Sequence, residues 1–243
     1  MTSVVVGSEV RKMFGSIADR YDLTNTVLSF GQHFLWRAAL KKTWQELPRD
    51  SKVLDLCCGT GDVYRDLTKR FKHAVGLDFS LPMLKNGKEK FCTNTNNSDL
   101  SSSEARGLGA LQGDALKTPF GTDCFDFVVV SFGMRNLESL EEGLREIHRI
   151  LKSSGKLVVL DFGKPTLPVW SQIFLLYSKY VMPFIGEMLT GNRSAYEYLP
   201  ETSQRFPSGK DFVAILEDEG FSVNNWRALS GGIAYLYEGI ENG

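Results

Sequence analysis

A chain of 243 residues, 42% hydrophobic and 23% charged, has the make-up of a globular protein and the length of one doubly wound unit. Its formal net charge of −1 argues against a nucleic-acid partner. The four cysteines (Cys57, Cys58, Cys92 and Cys124) lack metal-ligand spacing, so no metal is expected and they read as thiols of a reducing compartment.

Residues 1–8 carry no basic flank followed by an apolar core, so a cytoplasmic location is expected. From Glu9 to Arg20, Val10, Met13, Phe14 and Ile17 recur at helical spacing, and a turn is expected at Tyr21–Asn25. A second helix should run from His33 to Leu47, with Trp36, Leu40 and Trp44 on one stripe and Pro48 ending it. These first 50 residues precede a regular alternation, so they read as a helical cap.

Strands are expected at 52–57, 74–79, 108–112, 125–131 and 156–162, with helices at 62–71, 81–91 and 140–151 between them. Ser80 and Pro82 are suited to open the second of these helices. Repeated strand–helix units imply a mostly parallel sheet covered on both faces. A helix at 210–219 and strands at 221–226 and 232–237 should close the unit. The segment 92–106, rich in Asn, Ser and Thr, reads as a solvated insertion. The apolar run 167–188 is interrupted by Lys179 and Pro183, and its uncharged part, 165–178, is too short to span a bilayer.

The chemistry should gather where strands end, because ligands of open α/β sheets bind at the carboxyl edge. Val53 to Asp62 reads V-L-D-L-C-C-G-T-G-D, an apolar strand with Asp55 in it, leading into a Gly59-Thr60-Gly61 turn. Glycine lets backbone approach a ligand closely. A dinucleotide fingerprint needs a third glycine where this chain has Tyr64, so a smaller, amino-acid-like ligand fits better than a pyrophosphate. Asp78 ends the second strand and is placed to accept from both hydroxyls of a ribose, which nicotinamide and adenosyl cofactors share. Asp114 and Ala115 follow the third strand, suited to an adenine amine and ring. Ser131, Arg135 and Asn136 follow the fourth.

Taken together, these motifs resemble the UbiE/MenG family of S-adenosylmethionine-dependent C-methyltransferases of menaquinone and ubiquinone synthesis. The likeness runs over nearly the whole chain. It rests on Tyr21-Asp22, Asn25, Ser29, His33 and Trp36, and on Cys57 to Asp62. Phe132-Gly133-Met134-Arg135-Asn136, Arg149 to Lys152, Tyr196-x-Tyr198-Leu199 and Gly231-Gly232 complete it. The resemblance implies an α/β class I methyltransferase fold: a Rossmann-like sandwich with a mostly parallel seven-stranded sheet and helices on both faces. The unit would be a single domain, 1–243, with a cap (1–50), a cofactor core (51–163), a helical acceptor-site insertion after the fifth strand (164–208) and a closing helix and strands (209–243). It implies S-adenosylmethionine as cofactor, held by Asp55, Gly59, Thr60, Gly61, Asp78, Asp114, Ala115 and Ser131.

The implied acceptor is a polyprenylated quinol, demethylmenaquinol or the benzoquinol of ubiquinone synthesis. Tyr21, His33, Trp36, Tyr196 and Tyr198 would line its site. A guanidinium stays protonated, so Arg135 suits a stabiliser of a quinolate oxygen, with Asn136 orienting the same oxygen. The plain alternative for Arg135 is an ion pair with a nearby carboxylate, and for His33 a satisfied buried imidazole. Residues 169–188 would either pack on the sheet or give a prenyl tail an apolar channel or membrane-facing surface. Peripheral contact with the inner face of a membrane, and a homodimer, are further expectations. The chain departs from the family in having Ser153-Ser154 for Pro-Gly, Asp161 for Glu and Gly163 for Ser; the shorter Asp161 is expected to miss the family's partner.

Overall fold

The computed structural model describes residues 13–91 and 109–243. The expected polar insertion 92–106 lies outside them, as does Val10. The chain enters through helical residues 13–17 and a 3-10 turn, Ala18–Arg20, then α1 (Tyr21–Leu28) and α2 (Gln32–Lys42). The expected turn at 21–25 is therefore a helix. Thr24 satisfies its hydroxyl on the Arg20 carbonyl at 2.8 Å, and Leu28 is buried against the insertion, so tertiary packing overrides the turn-forming residues. The second helix also stops earlier than Pro48, at Lys42, although Trp36, Leu40 and Trp44 are all buried as expected.

The alternating part comprises β1 (Lys52–Leu56), α3 (Asp62–Thr68), β2 (His73–Asp78), α4 (Leu81–Asn86), α5 (Lys88–Phe91), β3 (Ala110–Gln112), β4 (Phe125–Ser131), α6 (Leu140–Ile150) and β5 (Leu151–Phe162). Then come α7 (Pro168–Leu176), one π-helical turn (Tyr177–Val181), α8 (Met182–Thr190), α9 (Arg193–Arg205), α10 (Lys210–Asp218), β6 (Phe221–Leu229) and β7 (Ala234–Glu241). The sheet order is β3-β2-β1-β4-β5-β7-β6, parallel except for β7, which is antiparallel to both neighbours. The single helix expected over 81–91 is two, broken at Gly87. A Cβ there would lie 2.3 Å from the Thr60 carbonyl oxygen, so the break lets this segment cross the glycine loop.

Side-chain alternation divides the apolar residues between two faces. Leu54, Leu56, Val128 and Val130 pack under α6 and α10, while Val53, Val129 and Val158 pack under α2 and α3. A third, smaller core joins Ile17, Leu28, Met182, Ala195 and Tyr196. Cap and insertion thus share their own core above the carboxyl edge of the sheet. Gly186 makes this approach possible, since a Cβ would fall 2.2 Å from the Tyr196 ring.

Lys152–Gly155, expected as a turn before the fifth strand, lies within β5, where the pairing with β4 slips between Phe125 and Phe127. Ser154 sits there at φ 63°, a left-handed conformation that disfavours a side chain. Ser154→Gly should relieve that strain while keeping the backbone bond to Glu241. Net of glycine's extra entropy in the unfolded chain, the gain should be about 0.5–1 kcal/mol. A rise in Tm of about 1–4 °C in thermal unfolding would confirm it; no rise would show the bulge is unstrained.

Candidate active site

Two clefts open on the carboxyl edge of the sheet. One, of about 1200 Å³, is lined by Asp78, Asp114, Ala115 and Asn136. The other, of about 600 Å³, lies under the cap and insertion and is lined by His33, Trp36, Arg135, Tyr196 and Tyr198. Phe14, Tyr21, Cys57, Gly59, Ser131 and Phe132 belong to both walls, so the clefts meet at the ends of β1 and β4. Cys57 (φ 60°) and Phe132 (φ 59°) each end a strand in a left-handed conformation. Such strain collects where surrounding packing holds the backbone for a purpose.

The first cleft begins at the glycine loop. Gly59 and Gly61 have φ of 55° and 81°, and a Cβ on Gly61 would meet the Phe91 ring at 2.5 Å. The Gly59 N–H donates to one oxygen of Asp78 and the Ser80 N–H to the other, both at 2.8 Å. Burial raises the Asp78 pKa, and these two donors pull it back. Asp114 caps its own turn, accepting from the Leu116 N–H at 2.9 Å, beside buried Ala115. Tyr64, at the fingerprint's third position, is buried with its ring 5.1 Å from that of Phe91.

Asp55 points the other way, into the smaller cleft. It is 1% exposed, its Oδ2 has no hydrogen-bond partner, and burial pushes its pKa well above the ordinary carboxylate range. A buried acceptor left open is costly, and a cationic amine would satisfy it. The cap reaches the loop here too. Thr60 donates to Asp22 at 2.8 Å, and Lys90 bridges Asp22 to Asp62, which Arg37 also binds at 2.7 Å. Burial alone would raise the Asp62 pKa, but Lys90 and Arg37 outweigh it and hold the carboxyl below its usual value.

Arg135 dominates the second cleft. Its Nη1 donates to Asp161 at 2.8 Å and to the Phe132 carbonyl, and its backbone N–H donates to the other Asp161 oxygen at 3.2 Å. Asp161 is fully buried. In this chain the shorter carboxylate reaches Arg135, because β5 runs beside β4 and brings Asp161 under the 3-10 turn Met134–Asn136. The guanidinium carbon lies 4.9 Å from the Phe162 ring centre and 5.9 Å from that of Phe132, a cation held over two aromatic faces. The phenols of Tyr21 and Tyr198 both feel its charge, and burial raises the pKa of each. Gly163 lies two residues beyond Asp161, and the family's serine there would put a Cβ 2.4 Å from the Tyr235 ring.

Arg135 and Asn136, although adjacent in sequence, line different clefts. Asn136 donates to the Phe132 carbonyl at 3.2 Å and faces the larger one. His33 and Trp36 share the smaller one. Nδ1 of His33 lies 2.8 Å from the Ser29 hydroxyl, and burial lowers its pKa, which keeps the ring neutral near pH 7. Trp36 is mostly core, with Nε1 donating to Ser230 at 2.8 Å. Tyr196, on α9 of the insertion, is buried where insertion and cap meet, and Tyr198 is half-buried. Sequence reasoning missed Phe162 as a lining residue, and the Asp22–Lys90 contact; Trp170 and Tyr177, which belong to the 169–188 stretch expected either to pack on the sheet or to form an apolar channel, line the cavity. Only the folded chain brings these together. Among the described residues, no group of three or more His, Cys, Asp or Glu could hold a metal.

A glycine loop, a buried Asp at the end of the second strand and a closing antiparallel β7 define a class I S-adenosylmethionine-dependent methyltransferase fold. The chain belongs to the ubiE/COQ5 methyltransferase family, whose model matches residues 2–241. It is similar to the demethylmenaquinone methyltransferases of Staphylococcus aureus strains JH9 and Newman, each 35% identical over 96% of this chain and 93% of the relative. Among solved structures it resembles a SAM-dependent methyltransferase from Aquifex aeolicus (TM-score 0.55, 18% identity, 83% of this chain and 88% of that one). It also resembles the [4+2]-cyclase SpnF (TM-score 0.65, 15% identity, 97% of each chain). A cyclase among these neighbours shows that this fold hosts more than one chemistry.

Proposed function

We propose that the protein transfers a methyl group from S-adenosylmethionine to a ring carbon of a polyprenylated naphthoquinol, demethylmenaquinol or a close analogue. Arg135 carries the reading: anchored by Asp161 and flanked by two phenyl rings, it faces an aromatic cavity beside the point where the clefts meet. A relative named demethylmenaquinone methyltransferase, aligned over nearly its whole length, favours the naphthoquinol over the benzoquinol.

The residues suit the cofactor. Asp78 accepts from the ribose hydroxyls, Asp114 and Ala115 receive the adenine, and Gly59 to Gly61 let the chain pass close to it. The open Oδ2 of Asp55 takes the ammonium of the amino-acid end, with Thr60 and Ser131 along the same wall. When bound, the cofactor supplies an electrophilic methyl on a positive sulfur.

The quinol carbon must approach that methyl in line, where Tyr21 and Ser131 border both clefts. Such positioning supplies a large share of the rate. Arg135 stabilises the quinolate oxygen that makes the ring carbon nucleophilic. Neutral His33 adds no competing positive charge. In the balanced reaction the ring C–H becomes C–CH₃, the sulfonium becomes a thioether, and one proton leaves. The apolar walls (Phe132, Phe162, Trp170 and Phe174) exclude water and give the prenyl tail its route toward the mouth. A polyprenyl tail partitions into lipid, and no helix among the described residues is long and apolar enough to cross a membrane.

Labelled methyl transfer to the two quinol types under reducing conditions tests the reading. Turnover of the naphthoquinol is expected to exceed that of the benzoquinol. Labelling of neither ring would overturn the proposal.

A further inference from the structure

The mouth of the acceptor cavity carries an apolar surface that, among the described residues, neither the sheet nor the cap covers. From α7 through α8, Val169, Ile173, Leu176, Tyr180, Phe184 and Met188 follow one another at intervals of three or four residues, so they form one helical stripe. Each is between 51% and 72% exposed. The opposite side of the same segment, Ser178, Met182 and Gly186, is buried against cap and α9, so the stripe is the face left over. An expected role in packing on the sheet therefore describes one side only.

A second ridge adjoins it. Phe30, Phe34 and Leu35 are 75%, 52% and 69% exposed, and the Phe30 ring lies 5.6 Å from that of Tyr177, whose hydroxyl donates to the Leu28 carbonyl at 2.8 Å. Phe30, Phe34 and Ile173 face solvent and also line the cavity, so the surface and the cavity are continuous. A contiguous exposed apolar surface of this kind marks an interaction site.

Charge identifies the occupant. Residues 23–45 and 162–188, which build both ridges, contain five Lys or Arg and one acidic residue, Glu187, which pairs with Arg193 at 3.2 Å; Arg37 and Lys41 pair with Asp62 and Asp66, leaving the lysines at 42, 164 and 179. Lys42, Lys164 and Lys179 are exposed, and Lys42 lies two turns along α2 from Leu35, on the same face. Were a second copy to cover this face about a two-fold axis, each positive patch would meet its own image. An anionic bilayer offers the complement, taking aliphatic and aromatic side chains into its interface and the lysines at its headgroups.

We propose that this face is a docking surface for an anionic lipid bilayer, which it enters as a peripheral protein with the cavity mouth against the lipid. The proposal rests on the quinol reading above, since a tail that stays in the bilayer explains why mouth and surface coincide.

Flotation of the full chain with vesicles tests it. The protein is expected to float with phosphatidylcholine vesicles containing phosphatidylglycerol, and about tenfold less with phosphatidylcholine alone. Leu176, Tyr180 and Phe184 do not line the cavity. The triple variant L176S/Y180S/F184S should lose about tenfold in flotation yet keep its kcat on a short-tailed, water-soluble quinol. K164E/K179E should lose the preference for anionic vesicles. Wild-type protein that stays unbound, binds both vesicles equally, or owes the stripe to a dimer that the triple variant dissociates in light scattering would overturn the proposal. If wild type floats as expected but leaves the short-tailed quinol unmethylated, the substrate reading fails instead.

Discussion

Arg135→Ala is expected to lower kcat by roughly 10²–10³-fold, the usual cost of removing one donor from a developing oxyanion. Its affinity for S-adenosylhomocysteine should stay within a factor of about three, because Arg135 lines the acceptor cleft and not the cofactor cleft. The substitution has a second consequence. Arg135 and Asp161 have side chains 2% and 0% exposed, so the change strands a buried carboxylate. Breaking such a pair costs about 3–5 kcal/mol, and a fall in Tm should accompany the loss of turnover. Removing both charges as R135M/D161N separates the effects: stability should return toward wild type while turnover does not. A folded Arg135→Ala enzyme within about fivefold of normal kcat would show that the guanidinium only ties β4 to β5.

The second large effect is expected at Asp78. Asp78→Ala should weaken S-adenosylhomocysteine binding by at least about 10²-fold in calorimetry. That figure takes the lower end of roughly 1.5–3 kcal/mol for each of two charge-assisted bonds to the ribose. The same carboxylate orients the loop through the Gly59 and Ser80 N–H groups. Asp78→Asn keeps the shape but turns one acceptor into a donor, facing either a ribose hydroxyl or a backbone N–H, and should fall between the two. Unchanged affinity in Asp78→Ala would remove the ribose assignment. Thermal unfolding of the unliganded variants distinguishes a loosened loop from a lost contact.

Much of this architecture was legible because its determinants are local. The alternation of apolar runs with helical periodicity placed the strands of the cofactor core within a residue or two, apart from the start of β5. Gly59 and Gly61 announced a close approach, and Asp78, Asp114 and Ser131 were placed by lying at strand ends. The Tyr21–Leu28 helix was not legible. Tyr-Asp-Leu-Thr-Asn is a good turn in isolation, and it becomes helical because Leu28 buries itself against Met182, over 150 residues away in sequence. The break at Gly87 depends on how closely that backbone passes Thr60. Which carboxylate holds Arg135 was not legible either: the pairing of β5 with β4 brings the two chains near enough for the shorter side chain of Asp161 to hold it at both oxygens.

By itself, then, the sequence determined the order of strands in the cofactor core, the glycine loop and the family, since each rests on residue types at fixed spacing. Tertiary structure decided that Arg135 and Asn136 serve different clefts and that Asp55 keeps an open oxygen. It also decided that one side of residues 168–190 packs inward while the other stays bare at the cavity mouth. Those outcomes depend on which distant side chains come to share a dry volume, because burial sets both the cost of an unpaired charge and the strength of a paired one.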